Sequence, residues 1–265
     1  ENINPALEFG VASNPEFLAE GTAVRDALQP DRVLIGTRPE DSYARQAMEE
    51  LYAAFPKSRI LHTQIWSSEL AKLANNAFLS TKITQINAIS HLCDESGADI
   101  TEVASAVGMD QRIGNKFLGA GIGWGGSCFG KDLRALIYLF KHFHCDAEAA
   151  LYQAAHDLNY QLRERFVRRI HDCLYSLPNK VIVVLGFAFK PGTDDTRDSP
   201  TIDIIKLLAS EGAQVRVLDP EAGRHVQASF AGLPYASNIA LFSSVSVALV
   251  DADAVVLATD WPEYK

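Results

Sequence analysis

Cys128 closes a run of five glycines, in Gly119-Ala-Gly-Ile-Gly-Trp-Gly-Gly-Ser-Cys-Phe-Gly-Lys-Asp132, and a helical pattern follows it (Asp132, Leu133, Leu136, Ile137, Leu139, Phe140). Glycines let a backbone approach a ligand closely. A helix N-terminus offers free N–H groups that favour an anion beside them, thiolate included. A cysteine placed there reads as a nucleophile facing a polar, anionic substrate; the plainer reading is a small buried hydrophobe in a tight turn. Lys72 and Asn76 stand four apart in a helical stretch, so both project from one face, where a cation and an amide can stabilise an oxyanion. Alone, that pair is a solvated stripe. Asp132 lies four residues after Cys128, at a spacing that lets it share the face and orient a water or a base, or simply complement the helix dipole. Glu16 and Glu20, in Asn14-Pro-Glu-Phe-Leu-Ala-Glu20, put two carboxylates in a loop, either of them able to act as a general base or to sit in an exposed acidic turn.

The bulk composition limits the partners. The chain has 265 residues, 48% of them apolar and 22% charged, and a net charge of −9. That charge argues against a general nucleic-acid or acidic-membrane surface, so an anionic substrate must meet a local positive cluster. Four cysteines (Cys93, Cys128, Cys145, Cys173) form no CxxC pair. No His/Cys spacing points to a metal site, and free thiols fit a reducing, cytoplasmic location. No apolar run approaches the ~18 residues of a membrane span, and no signal-peptide pattern is present. The chain starts without Met and stops soon after a strand-like run, as a fragment trimmed at both ends would.

The elements that must position these residues are α/β in character. Arg32–Thr37 and Arg59–Thr63 read as strands and Glu40–Phe55 as a helix. Residues 67–96 contain neither Pro nor Gly. With Ser67 and Ser68 as caps and Gly97 as the stop, they predict a helix of roughly 30 residues, about 45 Å long. Its apolar positions include Leu70, Leu73, Ala77, Ile83, Ile86, Ile89 and Leu92, and its length implies that it links two lobes or packs on a second subunit. A smaller helical region covers 98–118. Another helix covers about 147–176, with Arg163, Arg165, Arg168 and Arg169 on a solvated side. From Asn179 a second α/β region follows: strand Lys180–Leu185, loop Gly186–Gly192, helix Pro200–Ser210, strand Gln214–Leu218 ending at Asp219, and strand Ala254–Ala258. Strand, glycine loop, helix, strand and Asp is a dinucleotide-fold order. Neither this loop nor any other segment after a strand, however, carries G-x-G-x-x-G.

Four separated motifs, Asn14-Pro-Glu-Phe-Leu18, Lys72-x-x-x-Asn76, Gly-Gly-Ser-Cys128-Phe and Gly186-Phe-Ala-Phe-Lys190, stand in the order found in the UDP-glucose 6-dehydrogenase branch of the UDP-glucose/GDP-mannose dehydrogenase family, which the chain resembles over essentially its whole length. The resemblance implies a tail of an NAD-binding Rossmann-type domain at 1–63, a long central helix with a helical dimerisation domain and the cysteine loop at 64–178, and a Rossmann-like UDP-binding domain at 179–265. It implies NAD as cofactor and oxidation of UDP-glucose to UDP-glucuronate in two steps, through a thiohemiacetal and a thioester on Cys128. Lys72 and Asn76 would stabilise oxyanions, and Asp132 and Glu16 would position and deprotonate water. Glu16, Phe17, Leu18, Ala19, Glu20, Gly119, Ala120, Gly121, Ile122, Gly123, Trp124, Gly125 and Phe129 would line the sugar nucleotide. Phe189 and Lys190 would meet its uridine or pyrophosphate end. Arg112 would reach a neighbouring subunit's site, which requires a homodimer or higher oligomer. NAD would touch Glu20, Cys128, Lys131 and Arg197.

The sequence departs from the family pattern where the first part of the NAD domain should stand, and a substrate-contacting Arg expected further on is missing. Gly130 replaces the usual Pro or Gln, and Gly119 a common Lys. The chain by itself is therefore expected to bind NAD poorly and turn over little. Two other readings are open: a dehydrogenase of another nucleotide sugar (a UDP-N-acetylhexosamine or GDP-mannose), and a non-catalytic dimerisation or UDP-binding fragment.

Overall fold

The computed structural model describes residues 9–264. The first eight residues of the expected 1–63 segment, and Lys265, lie outside them. The chain divides into two compact units, 1–75 and 76–265.

In the first unit, β1 (Ala12–Ser13) pairs antiparallel with β2 (Val33–Thr37), which pairs parallel with β3 (Ile60–Thr63). β2 is buried along its whole length, as expected of a continuous apolar run in a covered strand. Helix α1 (Ala23–Leu28) lies between β1 and β2, and α2 (Ser42–Leu51) between β2 and β3. The Asp41 carboxylate caps α2 by accepting from Ala44 N at 2.9 Å, and also takes Val11 N at 2.9 Å. Those two amides hold its carboxyl below the usual carboxylate range.

Helix α3 (Ile65–Ser96) is 32 residues long and passes from one unit into the other. It ends as expected at Gly97, whose φ is +78° and whose N–H returns to Cys93 O. Its start corrects the expectation. Ser67 and Ser68 lie inside the first turn, where Ser68 donates to Ser13 O and its backbone N–H goes to Gln64 O. Within the second unit, the buried stripe of α3 is largely polar: Asn76, Ser80, Thr84 and Asn87 are covered beside Ala77 and Ile86, whereas Ile89 and Leu92 are exposed.

Helix α4 (Ile100–Gly108) takes only the first part of the expected 98–118 helical region; Asp99 caps it, and turns follow. Helix α5 (Phe129–His142) begins directly after Cys128 and packs on α6 (Asp146–Leu174). The solvated-side reading of α6 fails at Arg163. That residue is 3% exposed, and its side chain pairs with Asp203 and stacks over the Tyr160 ring at 4.1 Å. Arg165 and Arg169 both bond to Asp94 at 3.0 Å.

The rest is a parallel sheet in the order β6–β5–β4–β7, with β4 (Val181–Leu185), β5 (Gln214–Leu218), β6 (Ile239–Leu241) and β7 (Ala254–Leu257). Helices α7 (Pro200–Ser210), α8 (Val226–Phe230) and α9 (Val245–Ala248) connect them. The core joins Ile182, Val184, Phe187, Ile204, Ile205, Leu208, Val215 and Val217 to Val167 of α6. Parallel strands buried on both faces must be apolar throughout, which is why β4 reads Val-Ile-Val-Val-Leu.

Candidate active site

In the first unit, Glu16 sits in the loop after β1. Asn14 fixes the start of that loop by donating to Leu34 O (2.8 Å) and accepting from the Tyr52 hydroxyl (2.5 Å). Lys72 Nζ donates to Glu16 O at 2.6 Å and to its Oε1 at 3.0 Å. Glu16 Oε2 accepts from Leu18 N at 2.6 Å. Phe17 lies under the Arg32 guanidinium at 3.8 Å and Lys72 Nζ at 5.5 Å, and Arg32 bonds Asn75 at 2.7 Å. Lys72 and Glu16, read separately from the sequence, form one half-covered ion pair. Ala19 donates to Asp26, whose carboxyl is held low first by the Thr22 hydroxyl and then by that amide. Glu20 is half-buried in the turn before α1.

In the second unit, Cys128 is the N-cap residue of α5 and is exposed. One turn along, Asp132 is 2% exposed. It accepts from Asn76 Nδ2 at 2.6 Å and from Lys131 Nζ at 2.8 Å. A buried carboxylate needs such charged and polar donors to remain covered. Cys128 thus stands on the same helical turn as a carboxylate oriented by an amide and a surface lysine.

The glycine loop is packed more by protein than the sequence implies. A Cβ on Gly125 would collide with the Asp198 carbonyl, and one on Gly126 (φ +86°) would meet the Phe189 ring at 2.8 Å. Gly126 N also donates to Arg197 O at 2.9 Å. Around Gly119 and Gly121, by contrast, there is open space. Ala120 is exposed, Ile122 and Gly123 are half-buried, and Trp124 is buried against Phe129. Phe189 and Lys190 lie on the turn after β4, with Lys190 Nζ 5.5 Å over the Phe189 ring. Arg112 is turned to Asp110 of its own loop, bonding at 3.0 and 2.6 Å; that pairing lowers the Asp110 carboxyl and raises the arginine.

Residues absent from the sequence reading hold this frame. Asn159, Thr84 and Asn87 bond the glycine loop. The polar series 76, 80, 84, 87 in a helix is the signal that could have found two of them. Asp219, where a dinucleotide fold places its ribose acid, is committed to its own chain: its carboxylate accepts from Phe187 N, Ala188 N, Glu221 N, Ala222 N and Trp261 Nε1.

Parallel strands alternating with helices define a Rossmann-type α/β protein. The chain belongs to the UDP-glucose/GDP-mannose dehydrogenase family: the family's NAD binding domain matches residues 1–56, its central domain 66–161 and its UDP binding domain 183–265. It is 46% identical to UDP-glucose 6-dehydrogenase of Pongo abelii over 275 residues, covering 100% of this chain and 56% of that one. Among solved structures, a UDP-glucose dehydrogenase from Pyrobaculum islandicum superimposes with a TM-score of 0.89 at 36% identity, over 98% of this chain and 58% of that one. A UDP-D-ManNAc dehydrogenase from Pyrococcus horikoshii does so with a TM-score of 0.78 at 26% identity, over 99% and 57%. The chain spans little more than half the length of these relatives.

Two of the residues expected to touch NAD lie in the second unit, Lys131 paired with Asp132 and Arg197 with Asp195. Lys131 and Arg197 keep 69% and 67% of their side chains exposed. They flank the loop at the α5 N-terminus, whose N–H groups add to a donor set suited to a pyrophosphate.

Proposed function

We propose that the protein to which this chain belongs oxidises UDP-glucose to UDP-glucuronate in two steps, with Cys128 as the covalent nucleophile. The observation that carries the reading is the exposed Cys128 thiol at the start of α5, one turn from the buried Asp132 that Asn76 orients. NAD, held by Glu20, Lys131 and Arg197 beside Cys128, would accept the hydride lost at each oxidation. Cys128 Sγ adds to the C6 aldehyde, and the carbonyl oxygen becomes a hydroxyl; this thiohemiacetal keeps the aldehyde in place. After the second oxidation a thioester remains. Water attacks its carbonyl carbon, the C–S bond breaks, and the thiol returns as the acid leaves. Asp132 and Glu16 take and return protons, and Lys72 and Asn76 donate to the oxygen that gains charge. Glu16 to Glu20, Gly119 to Gly125 and Phe129 line the sugar nucleotide; Phe189 and Lys190 receive its uridine or pyrophosphate end. The domains run 1–63, 64–178 and 179–265, and the protein is a cytoplasmic homodimer or higher oligomer in which Arg112 serves the neighbouring site.

The test is Cys128→Ser in the full-length protein. Acid formation is expected to fall at least about a thousandfold; turnover like that of the unaltered enzyme would overturn the assignment. Following NADH with UDP-glucose, a UDP-N-acetylhexosamine and GDP-mannose separates this reading from the alternative substrate, which the likeness to a UDP-D-ManNAc dehydrogenase keeps in view.

A further inference from the structure

Trp124 lies four residues before Cys128, and its ring packs edge-on against Phe129, the residue after Cys128, at 6.1 Å between centroids. Residues 125–128 therefore form a short bight closed by a ring contact. That bight has no secondary structure of its own, so whatever fixes Trp124 fixes one end of it.

Asn159 of α6 fixes Trp124 through both backbone groups. Its Oδ1 accepts from Trp124 N at 2.9 Å, and its Nδ2 donates to Trp124 O at 3.0 Å. Asn159 is 0% exposed and Trp124 4%. The side-chain amide acts here as a strand would, satisfying a buried loop peptide that has no regular partner. The approach is so close that a Cβ on Gly123, whose φ is +101°, would stand 2.6 Å from Asn159 Oδ1. From the other side, α3 completes the hold: Thr84 Oγ1 accepts from Trp124 Nε1 at 3.0 Å, and Asn87 Oδ1 from Gly121 N at 2.9 Å. The Asn76 that orients Asp132 belongs to the same buried polar stripe.

We propose that Asn159 is a positioning residue for Cys128, acting through Trp124 and the 125–128 bight to hold the thiol at the α5 N-terminus. Only an amide serves. Aspartate would lack the donor that Trp124 O needs, and a hydroxyl would reach one group at most. The idea rests on the reading of Cys128 as nucleophile for its purpose, but not for its measurement.

The experiment is alkylation of the full-length protein by iodoacetamide, with Cys128, Cys173 and Cys93 followed by mass spectrometry. Cys173 is exposed and serves as reference; Cys93 is buried and reports global opening. In Asn159→Ser the Cys128 rate, taken against Cys173, is expected to change at least about threefold while Cys93 stays protected. A Cys128 ratio that moves by less, or that moves only together with deprotection of Cys93, overturns the proposal. If Asn159→Ser does not fold, Asn159→Asp keeps the acceptor for Trp124 N but loses the donor for Trp124 O, and the same two outcomes decide. In the full-length enzyme kcat is expected to fall with KM held within about twofold. Should Cys128→Ser leave acid formation intact, the function falls while the alkylation ratio still judges the positioning.

Discussion

Among the described residues, Arg163 has one bonded group, Nη1 to Asp203, while its Nε and Nη2 are buried without a hydrogen-bond partner. The cation depends on the Asp203 charge and on the Tyr160 face. Asp203 keeps 41% of its side chain exposed, so the two ends of the pair are not equivalent. Removing the carboxylate strands a buried charge; removing the guanidinium leaves a carboxylate that water can reach. Asp203→Asn is therefore expected to cost about 3 kcal/mol in urea unfolding, and Arg163→Met about half that. Equal costs would show that the pair's desolvation does not set the balance. Nothing in the spacing of Arg163, Arg165, Arg168 and Arg169 distinguishes the first from the others. An arginine becomes buried because of what packs against it, and Asp203 stands 40 residues away. Lys72 and Asn76 illustrate the same limit. Their shared face is written in the four-residue step, but that one meets Glu16 and the other Asp132 is a matter of contacts 56 residues apart.

The loop of 121–128 and the turn of 186–198 form the element on which the second unit's site depends. Gly126→Ala would force a side chain into a left-handed backbone and against the Phe189 ring. It is expected to cost about 2 kcal/mol of stability, with part recovered by Phe189→Leu as a non-additive double-mutant term. Gly119→Ala meets open space and should lie within about 0.5 kcal/mol of the parent. A neutral Gly126→Ala in thermal unfolding would refute the packing explanation. The cluster of glycines is plain in the sequence; whether each makes room for ligand or for protein is not, because Asp198 and Phe189 approach from beyond the next two helices. The second sheet was more legible. Its expected strands 180–185, 214–218 and 254–258 are found at 181–185, 214–218 and 254–257, and helix 200–210 is where Pro200 and the periodicity put it. β1, β6 and α9 are two, three and four residues long, too short to show a period.

For the chain as a whole, several aspartates carry carboxyls held below their usual range by hydrogen bonds: Asp41 by Ala44 and Val11, Asp99 by Thr101, Asp253 by Lys180 and Val181, Asp194 by His225 and Arg224. A carboxyl lowered in the folded state stabilises it fully above the unfolded value, about 3.9, and that contribution disappears as pH falls through the folded value. The unfolding temperature is thus expected to hold near these groups' plateau above about pH 5 and to drop steeply below about pH 4. Asp253→Asn should make the acid limb shallower, and an unchanged limb would remove Asp253 from the account. Tyr264, pushed up to about 12 by burial, adds the opposite limb: its neutral form is favoured in the fold, so stability falls as pH rises above about 10. The sequence by itself determined the α/β class, the long Pro- and Gly-free helix, the second sheet and the family, because each is written in local periodicity or in short motifs kept in order. Tertiary structure alone decided that Lys72 pairs with Glu16, that the buried stripe of α3 is polar, that Asp219 serves its own backbone and that Asn159 grips Trp124. Most of those are contacts between residues far apart in the chain, made where burial removes water and a polar group is stabilised by a partner that the fold brings near.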